Sequence, residues 1–171
     1  MQLSITSREQ LDVYRFSWPV AIGLPVLALF LQATRPVWVP FFKIFDLPLL
    51  VLIYLAVARR NPASGLMVGA LIGLVQDAIT NRPMGLYGIS KTVIGYAASS
   101  LGVKLDVENP GSRLLLTCGF YIVHELIYFS IARGLVHEAL KWSWRHEVLS
   151  GVANAFLAVF LFHFLDRLRQ R

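Results

Sequence analysis

Five ionisable side chains stand inside otherwise apolar stretches of this sequence: Asp46, Asp77, Lys91, His124 and Glu125, with Gln76 and Asn154 as polar companions. Two carboxylates and an ammonium can pair, which offsets part of the penalty for removing each from water. His124 and Glu125 are the residue types of a metal site or a proton relay. As neighbours on a helix they point about 100° apart, unlike an i, i+4 pair. No second dense group of His, Cys and acids completes a metal set, so no metal or other cofactor is expected. The motifs of nucleophilic and phosphate chemistry are missing: there is no GxSxG, no Walker loop and no HExxH. The run Gly85-Leu86-Tyr87-Gly88 lacks the strand–loop–helix setting of a phosphate loop, and Ser90 has no base marked beside it. Cys118 is the only cysteine and lies in an apolar run, where it reads as a core residue and excludes a disulfide scaffold. The sequence is not that of an enzyme.

The elements that must hold these groups follow from composition. The 171 residues are 56% hydrophobic and 15% charged, with a mean hydropathy of +0.60. A soluble domain has about 45–50% apolar and about 25% charged residues. The apolar excess comes in six blocks, near 18–34, 40–58, 63–80, 86–103, 113–132 and 147–165. Each is close to the roughly 20 residues that cross a bilayer, leaving no room for a second domain. The expectation is an all-α integral membrane protein, a bundle of six transmembrane helices forming one domain over 1–171. The segment 134–146, with Trp142 and Trp144 among charges, suits the membrane interface. Residues 1–17 precede an apolar stretch without a clean small-x-small cleavage site, so the first block reads as an uncleaved anchor.

The net charge of +6 and pI near 9.8 do not point to nucleic acid, since no basic run is interleaved with aromatics. Lys and Arg cluster at block ends, where they set orientation. With the N-terminus inside, nine basic residues are cytoplasmic (Arg8, Arg15, Arg59, Arg60, Lys104, Arg113, Arg167, Arg169, Arg171). Six lie outside (Arg35, Lys43, Arg82, Arg133, Lys141, Arg145). Both termini are therefore expected in the cytoplasm, with Arg59 and Arg60 presented to cytoplasmic partners.

Ionisable groups at membrane depth cost about 2.5–3.5 kcal/mol each on insertion scales, which makes each a candidate for function. At 1.5 Å per residue, Asp77 lies roughly 5 Å from the outer end of its span, Lys91 roughly 8 Å, Asp46 roughly 9 Å and Asn154 roughly 10 Å. These groups share one level of the outer leaflet, while His124 and Glu125 sit near mid-membrane. They either staple the bundle and snorkel, or touch a ligand or a partner helix. Gly65, Gly69 and Gly73 follow one another at steps of four, with Asp77 at the next. Such a stripe lets another backbone come close, either within the bundle or from a partner.

Four segments in order carry a resemblance: DLPLLVLIYLAVARR at 46–60, GLMVGALIGLVQDAIT at 65–80, RPMGLYGISKTVIGY at 82–96 and DVENP at 106–110. Together they resemble the MreD family of bacterial rod shape-determining membrane proteins. The match is dense from 46 to 110 and looser in the first and last two blocks. The resemblance implies a non-enzymatic component of the elongation machinery (elongasome) in the inner membrane. It implies association with MreC, a single-span protein, in an assembly with MreB, RodA and a class B penicillin-binding transpeptidase that carries out peptidoglycan synthesis. It also implies a fold similar to the S components of energy-coupling-factor transporters: six helices around an outward pocket. Fold likeness does not transfer vitamin binding.

The leading expectation is a scaffold that offers a groove to the MreC helix, with Asp46, Gly65, Gly69, Gly73, Gln76, Asp77 and Lys91 as partner or pocket residues. The alternative, a vitamin-binding S component, finds few aromatic or amide groups in the outer loops beyond Tyr87, Trp142 and Trp144. It also lacks an N-terminal Ala-rich docking motif. A proton-linked carrier centred on Glu125 is the third reading.

Overall fold

The computed structural model describes residues 17–34, 44–102, 109–137 and 142–167. These form six α-helices and, among the described residues, no strand: α1 Trp18–Ala33, α2 Leu47–Arg59, α3 Pro62–Ile79, α4 Leu86–Gly102, α5 Pro110–Gly134 and α6 Trp144–Asp166. Prolines mark the starts. α1, α2, α3 and α5 each carry Pro at the first or second helical position, where the missing N–H is an orphan in any case. Asp46, Asn61 and Asn109 cap α2, α3 and α5 by accepting from the amides of Leu49, Ser64 and Gly111.

The helices fall on the six apolar blocks, with one substantial change. In the block expected over 40–58, of which residues 40–43 lie outside the described residues, α2 starts at Leu47, because Asp46 caps it and Pro48 opens it. Its 13 residues rise only about 20 Å, short of the ~30 Å hydrocarbon core. α3, α5 and α6 are long and apolar enough to cross a membrane, while α1 and α2 are apolar but shorter. α4, at 17 residues, carries Lys91 and several small polar side chains. Of the expected interfacial segment, residues 138–141 lie outside the described residues. Trp142 packs edge-on to Trp144 at 5.1 Å, and Trp144 opens α6.

α2 is the axis of the bundle: every residue from Pro48 to Ala58 is buried, and all five other helices touch it. The periphery is apolar. Phe156, Phe160 and Phe164 form a stripe at steps of four on α6, with Phe160 73% exposed, whereas Lys91 is 0% exposed. Water as the surrounding solvent would favour the reverse arrangement; hydrocarbon favours this one.

α3 and α4 approach most closely. A Cβ on Gly65 would strike the Gly95 carbonyl and Ser99 Oγ, one on Gly69 the Lys91 carbonyl, and one on Gly73 the Tyr87 carbonyl and Gly88 Cα. The antiparallel register 65/95, 69/91, 73/87 explains the four-residue step. The stripe is thus covered by α4 within the fold, and is not an open surface for another protein's helix.

Candidate functional site

The polar groups gather where α2 starts. Phe45 and Asp46 enter the bundle outside any helix, and such backbone is tolerated at membrane depth only if protein satisfies it. Two side chains do so. Asn154 Nδ2 on α6 donates to the Ile44 carbonyl at 2.7 Å, and its Oδ1 accepts the Asp46 amide at 3.0 Å. Gln32 Nε2 on α1 donates to the Phe45 carbonyl at 3.2 Å, and its Oε1 accepts the Leu47 amide at 3.4 Å. Asp46 Oδ1 accepts from the Leu49 amide at 3.0 Å, while Oδ2 accepts from Lys91 Nζ on α4 at 2.6 Å. Lys91 Nζ also lies 5.5 Å from the centre of the Tyr87 ring. α1, α2, α4 and α6 are therefore tied at one level.

Asp77 belongs to a different arrangement from the one its spacing suggested. It does not share Lys91 with Asp46. Its Oδ2 accepts from the Gly85 and Gly88 amides at 2.8 and 3.1 Å, and its Oδ1 from the Tyr87 amide at 3.0 Å. The carboxylate is a cap supplied across space: it satisfies the orphan donors at the start of α4 and sits at the positive end of that helix. A Cβ on Gly88 would meet Leu74 Cδ2 at 2.9 Å, the end of an exposed side chain that can turn aside. The "QD" that ends one apolar block and the "GLYG" that opens the next are thus two halves of one capping device. Neighbouring Gln76 is buried, and its Oε1 has no partner among the described residues.

His124, on α5, is fully buried and lies beside Tyr87 and Tyr128, with ring centres 6.0 and 6.5 Å away. Despite the 100° step, the Glu125 side chain reaches round to place Oε1 3.2 Å from His124 Nδ1. His124 Nε2 has no partner among the described residues. Among the same residues no three His, Cys, Asp or Glu gather as metal ligands.

Arg59 and Arg60 are remote from this cluster, at the far end of α2. Arg59 Nη1 donates to Ser64 Oγ at 3.3 Å, and Arg60 takes a left-handed conformation, φ 51°, that closes the helix. At that same end, Arg113 Nη1 meets Asp166 Oδ2 at 2.7 Å and the Tyr54 hydroxyl donates to Asp166 Oδ1 at 3.2 Å. Gln32 and this second ion pair were not singled out from the sequence. Gln32 left a signal, as a lone amide inside an apolar block; the Arg113–Asp166 pair, 53 positions apart, left none.

Apolar helices around a buried cluster of ionisable and polar groups describe an all-helical membrane protein. The model of the family "rod shape-determining protein MreD" matches residues 14–168, and the chain belongs to that family. It is a rod-shape-determining membrane protein that works with other shape proteins. No match was found among curated proteins, nor among solved structures.

Proposed function

We propose that the chain is a membrane scaffold of the cell-elongation machinery, a single domain whose six helices all cross the cytoplasmic (inner) membrane. Both termini lie in the cytoplasm, as the distribution of basic residues favours, and the arrangement is that of an S-component bundle. It binds the transmembrane helix of MreC and through it couples MreB to RodA and a class B penicillin-binding transpeptidase. Arg59 and Arg60 face cytoplasmic partners. Asp46, Gln76, Asp77 and Lys91 hold the bundle that presents the docking face.

The observation that carries this reading is the inversion of polarity. The Lys91–Asp46 pair and the Asp77 cap lie inside, engaged with the chain itself, while Leu115, Phe156, Phe160 and Phe164 point outward. Such a bundle has apolar sides to offer to helices. The test is co-purification of the full chain with MreC from a mild detergent. Retention in an equimolar peak is the expected result; an intact bundle that never retains MreC overturns the reading.

A further inference from the structure

We propose that the groove between α1 and α3 is a binding site for an anionic phospholipid, with an acyl chain in the groove and the phosphate on Arg59. The proposal rests on the membrane setting of the chain and is independent of MreC.

The groove is lateral, about 320 Å³ in volume, and lined by Ala21, Pro25 and Leu29 of α1 and Val68 and Ile72 of α3, with Arg59 of α2. That volume falls within the roughly 300–1,000 Å³ range of ligand sites. It exists because α1 packs mainly on α2 and only lightly on α3. Its rim is open, with Ile22, Val26 and Leu71 all exposed.

Arg59 is the one charged group of the lining among the described residues. It stands in the last turn of α2, where α3 begins, so the apolar slot has a cation at one end. The hydroxyl of Ser64 lies 3.3 Å from the guanidinium and accepts from it. α3 starts immediately beside it at Pro62, directing its positive end to the same place. A purely apolar occupant, such as a helix face, would offer the guanidinium no anion. A phospholipid answers both halves. An acyl chain fills the slot by packing against walls as apolar as the lipid it leaves, and a phosphate takes the fork of an arginine in bidentate fashion. Basic pockets between membrane helices bind anionic head groups by this chemistry.

The experiment is native mass spectrometry of the full chain in neutral detergent, titrated with phosphatidylglycerol and phosphatidylcholine of identical acyl chains. One phosphatidylglycerol should be retained with about fivefold preference, the equivalent of ~1 kcal/mol per basic residue near an anionic surface. Arg59→Gln should equalise the two lipids, and Arg59→Lys, which keeps the charge, should retain the preference. Arg133→Gln, which removes a charge from the far end of α5, should leave it unchanged. Val68→Trp, which fills the groove, should abolish retention of both. Equal retention by the unaltered chain overturns the proposal, as does a preference that survives Arg59→Gln. A Val68→Trp protein that keeps its lipid but loses a co-purified protein assigns the groove to a helix instead, and also overturns it.

Discussion

Lys91 Nζ stands 2.6 Å from Asp46 Oδ2, so the middle of one helix is fastened to the residue at which another begins. Both residues are buried, and 45 positions separate them in the chain. Breaking a buried pair on one side leaves a charge without compensation, which costs about 3–5 kcal/mol. Lys91→Met should therefore lower the unfolding temperature in detergent sharply. Lys91→Met combined with Asp46→Asn should recover much of the loss, since asparagine can still cap the Leu49 amide. A single variant as stable as the parent would show that the pair holds nothing.

Gly69 faces the Lys91 carbonyl so closely that no Cβ fits. Gly69→Ala should force α3 and α4 apart and destabilise the bundle by about 1–3 kcal/mol, the range for overpacking. Gly119 has nothing within 4 Å of its would-be Cβ. Gly119→Ala should be neutral or stabilising by about 0.5–1 kcal/mol, because alanine holds a helix better. Thermal unfolding of the two variants side by side decides the matter; equal effects would remove the close-approach account.

Asp77 accepts three amides at the start of α4. Hydrogen bonds to a charged group are worth about 1.5–3 kcal/mol each. Asp77→Ala should fray that end, with faster hydrogen exchange at Gly85, Tyr87 and Gly88, and Asp77→Asn should fray it less. Exchange spread evenly over all helices, or unchanged at these three amides, contradicts the cap.

Arg113 and Asp166 form an ion pair of similar length, 2.7 Å, but Asp166 has 26% of its side chain exposed. Fully exposed pairs contribute about 0–1 kcal/mol, and water reaches this pair more than it reaches Lys91 and Asp46. Asp166→Asn should shift the unfolding temperature far less than Lys91→Met, and the difference should persist in high salt, which screens the exposed pair and leaves the buried one. Equal shifts for both variants would mean that burial is not what separates the two pairs.

Much of the architecture was written in the sequence because hydrocarbon tolerates so little. Apolar blocks bounded by Pro, Asn and Arg gave six helices close to their observed bounds, since in lipid the backbone must bond within its own segment. The four-residue step of Gly65, Gly69 and Gly73 announced a close helix contact, and ionisable residues in apolar blocks announced an interior polar cluster. Periodicity carries this information because it is local.

Which groups meet was decided by the tertiary structure. Hydropathy counted residues 40–46 into a span, but Asp46 caps α2 and the chain before it is held by Asn154 and Gln32 from distant helices. Depth alone made Asp77 and Asp46 equal claimants on Lys91. The fold gave the lysine to Asp46, because the start of α4 presents its unbonded amides to Asp77 first. The glycine stripe fitted either a neighbour or a visitor until α4 was seen to fill it. Likewise, no spacing in the chain foretells a groove between α1 and α3 with Arg59 at its end, since a cavity is a property of how helices cross. Sequence fixes what each helix must bury; only packing chooses the partner, because helix rotation and tilt are set by all the contacts at once.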